Sequence, residues 1–242
     1  MTTMLELEAV TCRHADGRRE VTALDDVSLS VAAGELVAVM GPSGSGKSTL
    51  VHASCGLVTP SSGAIRIAGE PVPFVARPWW AKRRRRDVGV VHQRLNLVPG
   101  LTALENVALP LELDGWPVAV ARDAARRALA EVGADGWAGL RSRELSLGEQ
   151  QRVAVARAAV GDRRLMLADE PTAALDSAGA ESIVRLLADL AHAGRAVLFV
   201  THDSRLAAWA DRVVVLRDGR IVDSVGPQRA GAGPATAPVV TA

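Results

Sequence analysis

The stretch that decides the fold is GELVAVMGPSGSGKSTLVHASCGL, residues 34–57. Its centre, Gly41 to Ser48, satisfies the pattern G-x-x-x-x-G-K-[ST] of a phosphate-binding loop. The apolar run before the loop predicts a buried strand, and the run after it predicts a helix that Gly56 and Pro60 end. This context supports a real site, because glycines let the backbone approach phosphate and a helix start offers unpaired N–H groups.

Two side chains of the loop have direct tasks on a nucleoside triphosphate. Lys47 would place its charge on the outer phosphates, and Ser48 would place its hydroxyl on Mg²⁺. A Gly/Ser turn that happens to precede a lysine is the competing interpretation, and the flanking strand and helix disfavour it. The predicted nucleotide-binding residues of the loop are Gly41, Pro42, Ser43, Gly44, Ser45, Gly46, Lys47, Ser48 and Thr49.

Composition limits the classes of protein that remain. The chain has 242 residues, 48% of them hydrophobic, which is enough for one large core. Its net charge of +1 provides no broad field for nucleic acid, so no nucleic-acid partner is expected. Cys12 and Cys55 are the two cysteines, which favours a reducing compartment over a disulfide framework. No apolar run approaches the length of a membrane span, so the chain is not expected to move a substrate across a membrane by itself.

One local run of charge stands out. The segment KRRRR, Lys82 to Arg86, is typical of the solvated face of a short helix. Contact with lipid headgroups or with a partner protein is the alternative interpretation of this basic segment.

Hydrophobic periodicity predicts the arrangement of the remaining elements. Strands are expected within residues 4–33, 64–70, 86–93, 163–171 and 196–203, helices at 102–113, 117–133 and 177–194, and a hairpin over 213–225. Buried strands that alternate with helices indicate an α/β domain with a mainly parallel sheet. We predict one domain over residues 4–225, a helical subdomain at about 95–160 and a disordered tail over 226–242.

An acidic pair ends one of the predicted buried strands. Asp169 and Glu170 follow the apolar run RRLMLA, and ligands of open α/β sheets bind at the carboxyl ends of strands. Asp169 would help to hold Mg²⁺, and Glu170 would polarise a water molecule for attack on the γ-phosphate. Two solvated carboxylates at the start of a loop are the plainer interpretation.

Two further polar residues end predicted strands of the same sheet. His202 closes the strand in FVTHD and could contact the γ-phosphate while it holds Glu170 and water in line. Gln93 closes GVVHQ, and its amide could bind Mg²⁺ or orient water. A lone histidine is more often a structural or surface residue, so the prediction depends on the order of these residues along one edge.

The segment SLGEQQR, Ser146 to Arg152, completes a set of motifs together with the residues above. Through this set the chain resembles the ATP-binding subunit of ABC transporters over about residues 4–225. The fold that this resemblance implies is a P-loop NTPase core with an N-terminal antiparallel β subdomain and an inserted α-helical subdomain. The matching segments are the Walker A motif at Gly41 to Thr49, the Q-loop at Gln93, the signature at Leu145 to Gln150, Walker B at Leu165 to Glu170, the D-loop at Ala174 to Asp176 and the switch histidine at His202.

The resemblance also implies how such a subunit works. ATP and Mg²⁺ would be bound between two copies of the chain, with Ser146, Gly148 and Glu149 of one copy facing the phosphates on the other. The aromatic residue that normally stacks on adenine falls at His14, and Leu147 stands where the family usually has glycine. Integral membrane permease subunits would be the further partners, which places the chain at the cytoplasmic face of the cell membrane.

The stretch NLVPGLTALENVALPL is most similar to subunits that serve lipoprotein-release, macrolide-export and cell-division-type permeases. It predicts an ATP-hydrolysing motor of the exporter or extraction type. The ATPase of an importer is an open alternative. A soluble ABC ATPase of repair or translation fits less well, because those proteins typically carry long insertions or a second cassette. A small-molecule kinase would leave SLGEQQR and His202 unexplained.

Overall fold

Two sheets of different character organise the chain, and the structure, a computed structural model, describes residues 2–16, 19–73 and 77–226. The strands are β1 (Thr3–Asp16), β2 (Arg19–Ala32), β3 (Leu36–Met40), β4 (Ser62–Ile67), β5 (Glu70–Pro71), β6 (Val88–Val91), β7 (Leu165–Asp169), β8 (Ala196–Val200), β9 (Arg212–Arg217) and β10 (Arg220–Val225). The helices are α1 (Lys47–Ser54), α2 (Arg77–Arg86), α3 (Ala103–Glu112), α4 (Val118–Glu131), α5 (Leu147–Ala159), α6 (Ser177–His192) and α7 (Ser204–Ala207).

The central sheet has the order β10-β9-β3-β8-β7-β6, and all of its neighbouring pairs are parallel except β9 and β10. Strands β7 and β8 are buried along their whole length, which explains their continuous apolar sequences LMLAD and AVLFV. Because parallel strands end at the same edge, the segments that follow β3, β6, β7 and β8 all leave from one side of the sheet. The predicted α/β fold class is confirmed.

The second sheet is antiparallel and has the order β2-β1-β4-β5. The alternation predicted for LDDVSLSV is interrupted, since Leu24 and Val27 are both buried although they are three residues apart. Asp26 between them has φ of 54°, and the pairing with β1 shifts register there. The extra residue is a β-bulge, which returns the apolar side chains to the core face.

Other predicted boundaries need correction where turns intervene. The strand expected over residues 64–70 is two strands, β4 and β5, because the chain turns at Ala68 and Gly69. Pro117, expected within the first turn of its helix, instead lies at the N-cap of α4. The hairpin predicted around Asp218 and Gly219 is present as β9 and β10.

Three helices between β6 and β7 form the region predicted to be a helical subdomain. Ala121, Ala125 and Ala128 on α4 are buried, and their small side chains allow close approach of α3 and α5. This apolar cluster continues into α6 and the central sheet. The division into a domain at residues 4–225 with a subdomain at about 95–160 stays a prediction. Apart from Gly226, the tail predicted at 226–242 lies outside the described residues.

The basic run predicted to be a solvated helix face does lie on a helix, α2. Two of its arginines, however, form ion pairs. Arg83 contacts Glu70 at 2.8 Å and Asp87 at 2.9 Å, and Arg85 lies 3.4 Å from Asp114. The run is therefore partly a structural element that ties α2 to its neighbours. Among the residues described, no helix combines the length and the apolar character that crossing a bilayer requires.

A buried ion pair joins the two sheets. Glu35, only 3% exposed, accepts hydrogen bonds from the backbone N–H of Ala32 at 2.8 Å and from Arg212 Nε at 2.9 Å. Arg212, at the start of β9, also donates to the carbonyl oxygen of Ser30 on β2. Removing one member of such a pair leaves an uncompensated buried charge, which is far costlier than breaking an exposed pair.

We therefore expect Arg212→Met to lower the free energy of unfolding by about 3 kcal/mol, measured by urea denaturation. The matched control is Arg126→Met, which removes an exposed arginine that pairs with Asp123 on the same helix, and should change it by less than about 0.5 kcal/mol. Equal losses in the two variants would contradict the role given to the buried pair.

Candidate functional site

The phosphate loop connects β3 to α1 and is shaped by close backbone contacts. Gly46, the N-cap of α1, has φ of 102°. A Cβ atom at this position would lie 2.2 Å from the carbonyl oxygen of Ala23 on β2. Only glycine fits there, because both the backbone angle and the neighbouring strand exclude a side chain. The loop is thus packed directly against the antiparallel sheet.

A second glycine holds the loop from the other side. The N–H of Gly219, in the turn between β9 and β10, donates to the carbonyl oxygen of Ser45 at 3.1 Å, and its own carbonyl accepts from Asp25 N at 2.9 Å. Gly219 has φ of 76°, and a Cβ atom there would lie 2.9 Å from the Ala23 oxygen. The turn therefore connects the phosphate loop to β2. The D-G dipeptide predicted the turn, but nothing in the sequence indicated this contact.

Lys47 and Ser48 begin α1 with their side chains engaged on different groups. Lys47 Nζ donates to the carbonyl oxygens of Gly41 and Pro42, each at 2.8 Å, so the ammonium group lies across the loop. Ser48 Oγ donates to Asp169 Oδ1 at 3.1 Å. This hydrogen bond joins the loop to the end of β7, the two groups that the sequence predicts to share a magnesium ion.

His52 also reaches Asp169, a contact that the motifs of the sequence do not predict. Its Nε2 atom lies 3.9 Å from Asp169 Oδ2, while the Asp169 side chain is only 6% exposed. The signal was available in principle, because His52 follows Ser48 by four residues and so lies on the same face of α1.

The two residues of the acidic pair contact different neighbours, Asp169 on the side of α1 and Glu170 on the side of β8. Glu170, which directly follows β7, adopts φ of 47°, an uncommon conformation for a non-glycine residue. Both of its carboxylate oxygens lie 3.1 Å from Nδ1 of His202, which follows β8. The Glu170 side chain is 15% exposed and the imidazole 72% exposed. The structure thus brings together Glu170, the carboxylate predicted to polarise water, and His202, the predicted switch histidine.

The turn after His202 is fixed by a local ion pair. Asp203 is the N-cap of α7, and its carboxylate accepts from Arg205 Nε at 3.2 Å and Nη2 at 2.7 Å. These hydrogen bonds lower the pKa of Asp203 to about 2, so its carboxylate stays charged near neutral pH.

Gln93 lies two residues beyond β6 and is exposed at the same edge of the sheet. The loop that follows it is held by Arg157 from α5, which donates to the carbonyl oxygens of Leu95 and Asn96. Burial lowers the pKa of Arg157. The helix whose start carries the predicted signature is therefore attached, near its other end, to the loop after Gln93, a long-range contact that the sequence did not indicate.

The predicted signature residues form a complete helix cap. Ser146 is the N-cap of α5; its N–H and its Oγ both donate to Glu149 Oε2, at 2.7 and 2.8 Å, and its Oγ accepts from Glu149 N at 3.4 Å. Leu147 is 43% exposed, and a Cβ atom at Gly148 would have no neighbour within 4 Å. Among the described residues, no hydrogen bond or ion pair connects 146–149 to the phosphate loop. The chain therefore carries these two groups at separate places.

His14, the candidate for the base, lies on β1 opposite Val21 of β2, and both side chains are exposed. Strand β2 reaches the phosphate loop two residues further on, where the Ala23 oxygen contacts Gly46. The His14–Val21 pair is therefore two residues along β2 from the point where this sheet meets the loop.

Comparison with known proteins agrees with this geometry. A family model described as ABC transporter matches residues 24–173, which is more than half of the chain. The chain belongs to the ABC transporter family. Its relatives include the macrolide export ATP-binding/permease protein MacB of Chromobacterium violaceum, 45% identical over 233 residues, and the probable syringafactin export ATP-binding/permease protein SyfD of Pseudomonas syringae, 40% identical over 227 residues.

These alignments cover 96% and 93% of this ABC chain but only 36% and 35% of the two relatives. The chain thus spans about a third of their length. Among solved structures, the dimeric bacterial ABC transporter cassette MJ0796 is 37% identical, with a TM-score of 0.84 over 92% of this chain and 98% of that one. A dimeric post-hydrolysis state of the same cassette, bound to ADP and Pi, matches equally well.

The contact between Gly219 and the phosphate loop of this ABC protein can be tested by substitution. We expect Gly219→Ala to weaken ATP binding by ~10-fold or more in a titration, because a Cβ atom displaces the turn from Ala23 and so moves Ser45.

Gly69 provides a matched control. It occupies the equivalent place in the turn between β4 and β5, with φ of 78°, and a Cβ atom there meets nothing within 4 Å. Gly69→Ala should cost similar stability, ~1–2 kcal/mol from the left-handed backbone, and leave ATP affinity unchanged. If the two variants bind ATP equally well, Gly219 does not position the loop.

Proposed function

We propose that this chain is the ATP-binding and ATP-hydrolysing subunit of an ABC transporter of the exporter type, and that it dimerises on ATP to drive a membrane permease. The observation that carries this proposal is the contact of Glu170 with His202, directly beside the contact of Asp169 with Ser48. Together these contacts support a site in which a base, a metal-binding group and a phosphate loop share one edge of the sheet.

The loop residues fit a triphosphate in their present arrangement. Among the described residues, the Lys47 ammonium group is hydrogen-bonded to loop carbonyls and not to a carboxylate, so its charge is available to the outer phosphates. Ser45 Oγ is buried and finds no hydrogen-bond partner among the described residues. A buried hydroxyl without a partner is costly, and a phosphate oxygen at the loop would satisfy it. The start of α1, which directly follows the loop, supplies N–H groups that favour negative charge.

Oxygen donors that suit Mg²⁺ lie beside the loop. Ser48 and Asp169 would hold the ion, with the Gln93 amide as a further ligand at the sheet edge. When bound, Mg²⁺ neutralises charge on the phosphate oxygens. The buried Asp169 carboxylate is held by Ser48 Oγ, so it is positioned without rearrangement of the strand.

Glu170 and His202 are the residues we assign to hydrolysis. The Glu170 carboxylate accepts a proton from a water molecule, whose oxygen attacks the γ-phosphorus while the bond to the bridging oxygen breaks and ADP leaves. His202, hydrogen-bonded through Nδ1, fixes the direction of the carboxylate and leaves its other ring nitrogen for the γ-phosphate. The left-handed conformation of Glu170 is the kind of backbone strain that functional sites retain.

The start of α5 supports a role for a second copy of the chain. Ser146, Gly148 and Glu149 begin a helix whose N–H groups favour an anion, yet they make no hydrogen bond to the loop of their own chain in the described residues. The space around Gly148 leaves room for another molecule to approach. We propose that this surface closes on the phosphates held by the partner copy, so that a two-fold dimer contains two ATP molecules.

The relatives support the exporter assignment and the permease partner. Macrolide export and syringafactin export appear in the names of MacB and SyfD, and both names include a permease. We propose that permease subunits supply the membrane-spanning part and hold this chain at the cytoplasmic face of the membrane. His14 is the residue we assign to adenine stacking, with a smaller ring than the usual aromatic.

The test of hydrolysis is Glu170→Gln. The amide cannot accept the water proton, so we expect ATP turnover to fall by at least ~100-fold while ATP still binds and a dimer accumulates on a sizing column. The control is the separate single variant Lys47→Ala, because loss of the loop charge should abolish both ATP binding and the dimer. A Glu170→Gln chain that hydrolyses ATP at the wild-type rate would remove Glu170 from its role.

The test of the exporter assignment is the identity of the permease. We expect the tagged chain to copurify with a membrane protein of few spans, about four, and to release ADP faster in its presence. Recovery of a six-span permease together with a solute-binding protein would instead indicate an importer.

A further inference from the structure

A large cleft lies at the opposite edge of the central sheet from the phosphate loop. It has a volume of about 1170 Å³ and is lined by residues at the amino ends of the parallel strands, including Asp87 before β6, Leu165 in β7 and Arg195 before β8. We call it the amino-edge cleft. Leu165, which lines the cleft, and Asp169 are the two ends of β7, four residues and so about 13 Å apart, given a rise of ~3.3 Å per residue. It is therefore distinct from the proposed ATP site.

The described lining is strongly basic, with seven Lys or Arg side chains and four Asp or Glu side chains. Three of the arginines are already paired with carboxylates: Arg83 with Glu70 and Asp87, Arg85 with Asp114, and Arg195 with Glu131. These pairs fix the walls of the cleft.

The remaining cations of the lining form no ion pair with a carboxylate within hydrogen-bond reach among the described residues. The exposed side chains of Lys82, Arg86 and Arg164 make no hydrogen bond or ion pair to any described residue. Arg163 is only 5% exposed, its guanidinium donates to the carbonyl oxygens of Arg85, Arg157 and Ala158, and the Asp114 carboxylate acts on it electrostatically. The lining thus holds three exposed cations without an ion pair among the described residues, and one buried guanidinium.

From this arrangement we propose that the amino-edge cleft binds an acidic peptide segment of a partner protein. Its volume exceeds the ~300–1,000 Å³ typical of small-molecule sites. The exposed cations come from two elements, Lys82 and Arg86 from α2 and Arg164 from the segment before β7, so a ligand with several carboxylates has more than one contact point in the cleft.

An acidic peptide also fits the cleft better than an anionic membrane does. A flat bilayer does not reach into a concave site, and the exposed carboxylate of Asp162 in the lining repels an anionic surface. A peptide can place its carboxylates beside Lys82 and Arg164 and leave the acidic positions uncontacted. Burial lowers the pKa of Arg163 to about 10, and the arrival of negative charge offsets this loss of solvation.

The probe for the experiment is a fluorescein-labelled peptide of eight glutamates, with anisotropy measured on the full chain at about 0.05 M salt. We expect saturable binding that weakens at about 0.5 M salt. The double variant K82Q/R164Q should lose affinity by ~10-fold or more, since each lost contact is a charge-assisted one. Absence of binding to the wild-type chain at low salt overturns the proposal.

The matched control is the double variant R126Q/R185Q. It removes the same two charges at exposed positions outside the cleft and should bind the peptide within ~2-fold of wild type. If both double variants weaken binding equally, the peptide responds to net charge and the cleft is not its site. The conservative variant K82R/R164K should retain affinity, which separates loss of charge from loss of folding.

Two further arms separate the cleft from other basic sites. The peptide should bind K47A with the same affinity as wild type, because the phosphate loop is at the other edge of the sheet. Saturating ATP should likewise leave peptide binding to the wild-type chain unchanged. Loss of binding in K47A places the peptide in the loop and contradicts the proposal. Vesicles of phosphatidylglycerol should sediment wild type and K82Q/R164Q equally. Vesicle binding that depends on these two residues, without peptide binding, would show a membrane surface instead.

Discussion

Parallel pairing of β3, β8, β7 and β6 is the constraint on which the rest of the site depends. The register aligns Val39 with Val200 and Asp169 with Val200, so these strands end level with one another. Residues that are far apart in the chain therefore leave the sheet at one edge, and this is how Glu170 comes within 3.1 Å of His202. The burial of β7 and β8 on both faces holds this edge rigid.

The antiparallel sheet adds a second constraint on the same loop. Its strand β2 provides the Ala23 carbonyl, against which both Gly46 and Gly219 pack without side chains. The buried Glu35–Arg212 pair attaches β2 to the central sheet, since Arg212 on β9 also donates to the carbonyl oxygen of Ser30. Stability and function are thus linked here, because contacts that join the two sheets also shape the phosphate loop.

Sequence patterns predicted most of what depends on local order. The phosphate loop, the buried strands and the polar residues that end them follow from glycine spacing and periodicity, and parallel topology then predicts that they meet. Contacts that depend on tertiary packing were not predictable in this way. Gly219 bonds to Ser45, and Arg157 to the loop after Gln93, across separations that no local pattern encodes. The bulge in β2 was hidden because periodicity assumes a regular strand. The ion pairs of Arg83 and Arg85 required knowledge of where Glu70 and Asp114 lie.

The central claim is that each ATP is held by the phosphate loop of one copy and the α5 start of another. Mixing two inactive variants tests it most directly. Lys47→Ala removes the loop charge and Ser146→Arg blocks the helix start, so each alone should hydrolyse ATP at below ~1% of the wild-type rate. In an equal mixture, random encounters make half of the pairs mixed, and each mixed pair contains one intact site, so we expect recovery to about a quarter of the wild-type rate. A mixture that stays as inactive as its components would contradict the shared site.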